Sequence, residues 1–170
     1  TGEKYDITLN EKFLDEFTGG LDDVLIYLAA RPGVGKTALS LNIAMKVASQ
    51  NVGVAIFNLE MSSHQVIKRL LSSTTPIQHD KLKFPWTMED KDWINVSMKA
   101  TQLMHQNIFI FYNVFKIEEI RNVCRKIIEQ HNLGLVVVDY LQLCETNKKT
   151  GTQNELVSYL SRQFKLMQKE

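Results

Sequence analysis

The chain alternates between short runs of consecutive apolar residues and longer segments in which apolar residues recur every three or four positions. The continuous runs have the length of buried strands and lie at residues 24–29, 54–57, 108–111 and 135–138. The segments with helical spacing predict amphipathic helices, whose apolar faces include Leu41, Val66, Val96, Ile120 and Leu160. Strands that are apolar on both faces and alternate with helices are typical of an α/β fold, with a mainly parallel sheet and helices on both faces.

Polar segments separate these elements. Residues 74–88 hold two prolines and many polar side chains, which predicts an irregular connection. Ser62 and Ser63 are both candidates to cap the helix that follows, and Thr87 with Asp90 resembles a capping box for the next helix. The polar residues 145–152 predict a surface loop before a final helix.

Composition narrows the class of protein. At 170 residues the chain has the size of one domain, and its 44% hydrophobic and 23% charged content excludes a disordered chain and a disulfide-stapled miniprotein. A net charge of +1 leaves nucleic-acid binding open, because a ring of subunits can hold a strand through a few loop residues. No apolar run is long enough for a membrane span, and two cysteines without disulfide or metal spacing fit a reducing compartment. We therefore expect a cytoplasmic protein.

The turn at residues 30–37, between a predicted strand and a predicted helix, carries the first candidate chemistry. It reads Ala-Arg-Pro-Gly-Val-Gly-Lys-Thr, a pattern typical of a phosphate-binding loop. Backbone N–H groups at the positive end of the helix attract phosphate oxygens, Lys36 would reach the outer phosphates, and the Thr37 hydroxyl would bind Mg²⁺. The predicted nucleotide-binding residues are Arg31, Pro32, Gly33, Val34, Gly35, Lys36, Thr37 and Ala38.

Ala30 stands where the general phosphate-loop pattern has glycine. Alanine is strained at positive φ, so we expect Ala30 to adopt a backbone conformation that alanine tolerates. Tight packing between strand and helix would be another reason for the glycines in this turn. Packing alone, however, does not explain the sequence Gly-Lys-Thr.

Two acidic residues follow predicted strands and would meet the loop at one edge of the sheet. Asp139 ends the strand at residues 135–138, where parallel sheets place ligands, and would belong to the Mg²⁺ shell. Glu60 closes the second strand and is our candidate general base, which would orient or deprotonate the water that attacks the γ-phosphate. Each residue also has a simpler explanation: Asp139 would start a loop, and Glu60 would favour the positive end of a helix.

Four stretches of the chain resemble the RecA-like motor domain of DnaB-type replicative DNA helicases. They are Leu-Asp-Glu-Phe-Thr-Gly-Gly-Leu at residues 14–21, the phosphate loop with its flanks at residues 28–44, Val-Ala-Ile-Phe-Asn-Leu-Glu-Met-Ser at residues 54–62, and Leu-Gly-Leu-Val-Val-Val-Asp-Tyr-Leu-Gln-Leu at residues 133–143. Ala30, unusual for phosphate loops in general, is also what this family shows. The resemblance therefore covers most of the chain.

The resemblance implies a RecA-like P-loop NTPase fold that uses ATP and Mg²⁺. It implies a homo-oligomer, a hexameric ring, that couples ATP hydrolysis to translocation on single-stranded DNA and to duplex unwinding, with primase and a helicase loader as partners. Lys36, Thr37, Glu60 and Asp139 match the family's phosphate lysine, metal-binding hydroxyl, catalytic glutamate and metal-shell aspartate. The alternatives are another RecA-fold ATPase, of the recombinase or clock type, and a nucleotide-binding assembly module without catalysis.

We interpret residues 1–170 as one domain with three parts: an N-terminal flank at residues 1–21, a nucleotide-binding core at residues 22–144, and a loop with a terminal helix at residues 145–170. In the family that the chain resembles, an arginine from the adjacent subunit and DNA-contacting loops complete the motor. Those motifs would lie beyond residue 170. We therefore expect a truncated motor domain and, for the 170 residues alone, weak or no enzymatic activity.

Overall fold

In the computed structural model, which describes residues 24–149 and 151–170, three parallel strands form the sheet. The strands are β1 (Gly53–Asn58), β2 (Ile108–Phe111) and β3 (Leu133–Asp139). β1 is central in the order β2-β1-β3 and pairs in parallel with both neighbours. The predicted parallel sheet is confirmed, and the carboxyl ends of its strands lie at one edge.

Six α-helices and two short 3-10 helices accompany the sheet in the described parts of the chain. The α-helices are α1 (Lys36–Ala48), α2 (Ser63–Thr74), α3 (His79–Lys83), α4 (Asp90–Met104), α5 (Ile117–Gln130) and α6 (Gln153–Met167). The 3-10 helices are Pro85–Thr87 and Leu141–Leu143. Within the described ranges, no helix is both long and apolar enough to span a membrane.

Two apolar clusters lie on opposite faces of β1, because successive side chains of a strand point to opposite sides. Val54 and Ile56 pack with α1 and α2. Ala55 and Phe57 pack with α5 and α6. Every residue of β1 is buried, which explains why its sequence is a continuous apolar run rather than an alternating one. Helices on both faces of the sheet are therefore confirmed.

Cys124 and Cys144 are free, buried residues of the second cluster. Burial raises the pKa of each thiol to about 12, because the charged thiolate is poorly solvated among apolar side chains. Both thiols therefore stay protonated near neutral pH. In this form a cysteine acts as a small apolar core residue.

The prediction of a strand at residues 24–29 was wrong. Residues 24–30 have no regular secondary structure and pair with no strand of the described sheet. Ile26, Tyr27 and Leu28 are exposed, whereas Leu25 packs against the second cluster. An apolar run indicates a tendency to be buried, but a strand also needs a neighbouring strand for its backbone hydrogen bonds.

The connection at residues 74–88 is more regular than predicted, because it contains α3 and the first 3-10 helix. Its apolar residues explain the difference. Ile77 and Leu82 are buried and pack against Leu71 of α2 in a third cluster, so the segment has a core of its own. The apolar positions lie among prolines and polar residues, which conceals them in the sequence.

The capping box of α4 also differs from the predicted pair of Thr87 and Asp90. Glu89 and Asp92 form it, and the Glu89 N–H donates to Asp92 Oδ2 at 3.1 Å. The Thr87 hydroxyl donates instead to a carbonyl of the preceding turn. Lys81 of α3 donates to the same Asp92 oxygen at 2.7 Å, and this hydrogen bond lowers the pKa of Asp92. The cap thus joins α3 to α4.

Gly53 lies where the start of β1 passes close to the backbone before β3. Its N–H donates to the Asn132 carbonyl at 2.7 Å, and a Cβ at this position would lie 2.9 Å from the same oxygen. We predict that Gly53→Ala lowers the free energy of unfolding by about 1–3 kcal/mol, because two backbone segments must move apart. Urea denaturation measures the change.

Gly151→Ala is the matched control for this substitution. A Cβ at Gly151 would lie 3.2 Å from the end of the exposed Glu155 side chain, which accepts a hydrogen bond from the Gly151 N–H at 2.8 Å and can shift by a few tenths of an ångström without losing it. Its stability should therefore remain within about 0.5 kcal/mol of the parent, as is usual for surface substitutions. Equal losses in the two variants would contradict the close backbone approach at Gly53.

Candidate functional site

The phosphate loop begins with a tight turn. Arg31 and Val34 flank Pro32 and Gly33, and the Val34 N–H donates to the Arg31 carbonyl at 3.4 Å. Gly33 has a φ of 81°, the value that the second central residue of a type II turn requires. Proline suits the first central position because its ring fixes φ near that of the turn. The Pro-Gly pair therefore matches the backbone of the loop.

Gly35 is the N-cap of α1 and adopts a left-handed conformation with φ of 106° and ψ of 21°. A Cβ at Gly33 or Gly35 would meet nothing within 4 Å, so backbone conformation rather than space favours glycine at both positions. No side chain in the described ranges caps the first turn of α1, and that turn carries no acidic residue. Its N–H groups are therefore available to an anion at the positive end of the helix.

The Lys36 side chain reaches back to the start of the loop, where its Nζ donates a hydrogen bond to the Ala30 carbonyl at 2.8 Å. Phosphate would be a stronger acceptor for the ammonium group than this carbonyl, since both partners would be charged. Ala30 itself avoids positive φ, as predicted: Asn51 is the one non-glycine residue with positive φ in the described parts of the chain.

A hydrogen bond between Thr37 and Asp139 joins the first turn of α1 to the end of β3. The Thr37 hydroxyl donates to Asp139 Oδ2 at 2.6 Å, across 102 positions of sequence. Asp139 is 9% exposed. The structure thus brings together the two residues predicted to hold Mg²⁺.

The chemistry of this pair fits Mg²⁺. The ion prefers oxygen ligands and is usually held by one or two protein groups together with substrate phosphates. A hydroxyl and a carboxylate beside the phosphate loop are such groups. No cluster of three or more His, Cys, Asp or Glu side chains that could hold a metal occurs in residues 24–149 and 151–170. An ion at Thr37 and Asp139 would therefore take its remaining ligands from phosphates and water.

Backbone and side-chain bonds connect the carboxyl ends of β1 and β3. The Leu59 N–H donates to the Asp139 carbonyl at 2.7 Å, and the strand register places Asn58 beside Asp139. Asn58 is 1% exposed, and its Oδ1 accepts a hydrogen bond from the Met61 N–H at 2.6 Å. This bond spans the turn that carries Glu60. Asn58 was not among the residues predicted from the sequence, although a polar residue that ends a buried apolar strand was a signal for it.

Glu60 is exposed at the same sheet edge and makes no side-chain hydrogen bond or ion pair with any described residue. The capping box of α2 fixes the chain beyond it. The Ser62 N–H donates to Gln65 Oε1 at 3.0 Å and the Gln65 N–H donates to Ser62 Oγ at 3.4 Å. Of the two predicted candidates, Ser62 is therefore the cap, and Ser63 is the first residue of the helix. The Glu60 carboxylate is thus accessible on a turn anchored at both ends.

The other predicted site residues lie around the loop on the surface. Arg31, Pro32, Val34 and Ala38 are exposed, and Val34 is 70% exposed. Their contacts with a nucleotide remain predictions, as do the roles of Lys36 and Glu60. The predicted N-terminal flank and the stretch at residues 14–21 lie outside the described residues.

A glycine-rich loop before α1 and a carboxylate at the end of β3 of a parallel sheet are the arrangement of the P-loop class of proteins with a RecA-like fold. Residues 7–170 match the family described as DnaB-like helicase C terminal domain, and the chain belongs to this family. The resemblance seen in the four sequence stretches is therefore confirmed.

Two curated relatives illustrate the match. The chain is 34% identical over 160 residues to the replicative DNA helicase DnaB of Helicobacter pylori and 37% identical over 161 residues to that of Geobacillus stearothermophilus. Both alignments cover 92% of this chain, but only 33% and 35% of the relatives. The chain thus spans about a third of the length of these proteins.

Solved structures confirm the fold. One, titled "The Structure Of A DnaB-Like Replicative Helicase And Its Interactions With Primase", is similar with a TM-score of 0.88 and 28% identity, over 98% of this chain and 41% of that chain. A solved ATPase domain is similar with a TM-score of 0.76 and 29% identity, over 82% of this chain and 50% of that chain.

We predict that Thr37 and Asp139 stabilise each other even without nucleotide. A double-mutant cycle of Thr37→Val and Asp139→Ala, measured by urea denaturation, should give a coupling energy of about 1–3 kcal/mol, the range for hydrogen bonds to charged groups. Thr101→Val is the control for Thr37, because among the described residues the Thr101 hydroxyl bonds to the Ser97 carbonyl of its own helix and not to Asp139. The stability losses of Thr101→Val and Asp139→Ala should simply add in the double variant. If the losses of Thr37→Val and Asp139→Ala also add, the hydrogen bond between Thr37 and Asp139 is contradicted.

Proposed function

We propose that this chain is the ATP-hydrolysing motor of a replicative DNA helicase. It couples Mg-ATP hydrolysis to translocation on single-stranded DNA and to duplex unwinding. The hydrogen bond between Thr37 and Asp139 is the observation that carries this proposal, because it places a hydroxyl and a carboxylate together at the positive end of α1. Membership of the DnaB-like family supports the coupling to DNA.

Each residue of the site has a separate role in the proposed reaction. The N–H groups of Gly33, Gly35 and Lys36 bind phosphate oxygens, and the Lys36 ammonium group neutralises charge on the outer phosphates. Thr37 and Asp139 hold Mg²⁺, which supplies further neutralisation of the phosphate charge when it is bound. Glu60 orients the attacking water or accepts its proton. The exposure of Glu60 supports this last role, since its carboxylate is not engaged in an ion pair with described residues.

The surface position of the loop supports assembly into a ring. Val34 and its neighbours are exposed rather than enclosed in a cleft, so bound nucleotide would remain partly open to solvent in a single chain. A neighbouring subunit that covers the nucleotide would exclude water and complete the site. We propose a hexamer with nucleotide between subunits, in the cytoplasm, with primase and a helicase loader as partners; one structural neighbour is titled for its interactions with primase.

Steady-state hydrolysis of ATP by the longest natural form of this chain, with and without single-stranded DNA, tests the proposal. Glu60→Gln should lower kcat by about 100-fold or more, the range for loss of a general base, while nucleotide remains bound. Lys36→Ala should weaken ATP binding, because a phosphate contact disappears. Glu129→Gln and Lys126→Ala are matched controls on the exposed surface of α5 and should change neither quantity.

Stimulation of hydrolysis by DNA that disappears in Glu60→Gln would support the motor. Hydrolysis that is indifferent to DNA would favour the recombinase-type or clock-type ATPase. Nucleotide binding without hydrolysis would favour the assembly module. Unchanged ATP affinity in Lys36→Ala would contradict the phosphate site itself.

A further inference from the structure

Asn58 lies on the face of the sheet that α1 covers. Side chains alternate along β1, and Val54 and Ile56 belong to the cluster that packs with α1, so Asn58 continues that face. On β3 the same alternation from Val137 places Asp139 on this face as well. The register pairs Asn58 with Asp139, and neighbouring strands lie about 4.8 Å apart. Asn58 is therefore a direct neighbour of the predicted metal ligand.

The Asn58 amide uses only one of its two polar atoms. Oδ1 accepts the hydrogen bond from the Met61 N–H, whereas Nδ2 is buried and has no hydrogen-bond partner within residues 24–149 and 151–170. The assignment of the two atoms follows from chemistry, since the Met61 N–H is a donor and cannot bond to an NH₂ group. A buried donor without an acceptor destabilises a fold, so its retention requires an explanation.

Asn58 Nδ2 differs from the other buried polar atoms that lack a partner in the described residues. Those atoms are all acceptors, on Gln106, Glu118 and Gln168. Asn58 Nδ2 is the one donor, and it lies at the strand end where Thr37 meets Asp139. The groups that a Mg-nucleotide brings to this edge are oxygens, which a donor can bind.

We propose that Asn58 is a positioning residue that couples the bound nucleotide to the turn carrying Glu60. Its Nδ2 donates to an oxygen that arrives with the Mg-nucleotide, either a phosphate oxygen or a water on the ion, while Oδ1 holds the Met61 N–H. Because both atoms belong to one planar amide, a ligand that fixes Nδ2 also fixes the Met61 bond and hence the turn at residues 59–62. This inference rests on the proposed function, which supplies the nucleotide.

The alternative is that Asn58 only holds the turn through Met61. The two roles differ in what Asn58→Leu does to affinity. Leucine is compatible with the apolar face that Val54 and Ile56 form, adds no charge, and removes both the Oδ1 acceptor and the Nδ2 donor. If Nδ2 bonds a ligand oxygen, the affinity for Mg-ATPγS should fall about tenfold, or about 1.4 kcal/mol. If Asn58 only holds the turn, hydrogen exchange at Met61 should become faster but the affinity should remain.

Ser62→Ala is the matched control, because it loosens the same turn from the α2 cap without touching Asn58. Titration calorimetry with Mg-ATPγS should give a parental affinity for Ser62→Ala and weaker binding for Asn58→Leu. Asn58→Ala serves as a second variant, with circular dichroism as the check that each variant is folded. In the parent chain, Mg-ATPγS should also slow hydrogen exchange at Met61, and this slowing should be lost in either Asn58 variant.

Titration in EDTA distinguishes the two sources of oxygen. If Nδ2 bonds a phosphate oxygen, Asn58→Leu should bind ATPγS more weakly than the parent even without Mg²⁺. If Nδ2 bonds a water on the ion, the two affinities should become equal once Mg²⁺ is removed. Parental affinity in both Asn58 variants, or Met61 exchange that is indifferent to nucleotide, would overturn the inference. Lys36→Ala in the same titration separates the two claims, because parental affinity in that variant would contradict the nucleotide site itself.

Discussion

The candidate site depends on the hydrogen bond between Thr37 and Asp139. It connects the helix that follows the phosphate loop to the end of β3, and these segments are far apart in sequence. The parallel sheet makes the contact possible, since parallel pairing brings the carboxyl ends of β1 and β3 to one edge. This topology brings together a hydroxyl, a carboxylate and the positive end of α1. The site needs no run of like charges in the sequence. The net charge of only +1 is consistent with a site built by topology rather than by an excess of one charge.

Burial of β1 keeps this edge in place. Its side chains pack alternately against α1 and α2 on one face and against α5 and α6 on the other, so the strand cannot shift by one residue without exposing both clusters. At its end the strand changes from apolar residues to Asn58. That residue anchors the Glu60 turn through Met61, which makes the rigid core continuous with the candidate catalytic residue. Packing therefore sets the geometry on which the chemistry would rely.

Local patterns were sufficient to predict much of this arrangement. Some signals depend only on the local sequence and predict the local backbone. They are the apolar runs of β1, β2 and β3, the helical spacing of α1 and α5, and the Gly-Lys-Thr sequence. Features that depend on a distant partner were not predictable. The run at residues 24–29 pairs with no strand of the described sheet, and the cap of α4 lies at Glu89, where Lys81 also binds Asp92. The free donor of Asn58 becomes visible only when its neighbours are known.

A crystal structure of the chain with Mg²⁺ and a non-hydrolysable ATP analogue tests the central claim most directly. We predict phosphate oxygens on the N–H groups of Gly33, Gly35 and Lys36, with the ion on the Thr37 hydroxyl and Asp139 in its shell. Manganese in place of magnesium would locate the ion by anomalous scattering. Phosphates bound elsewhere, or an ion remote from both Thr37 and Asp139, would contradict the account.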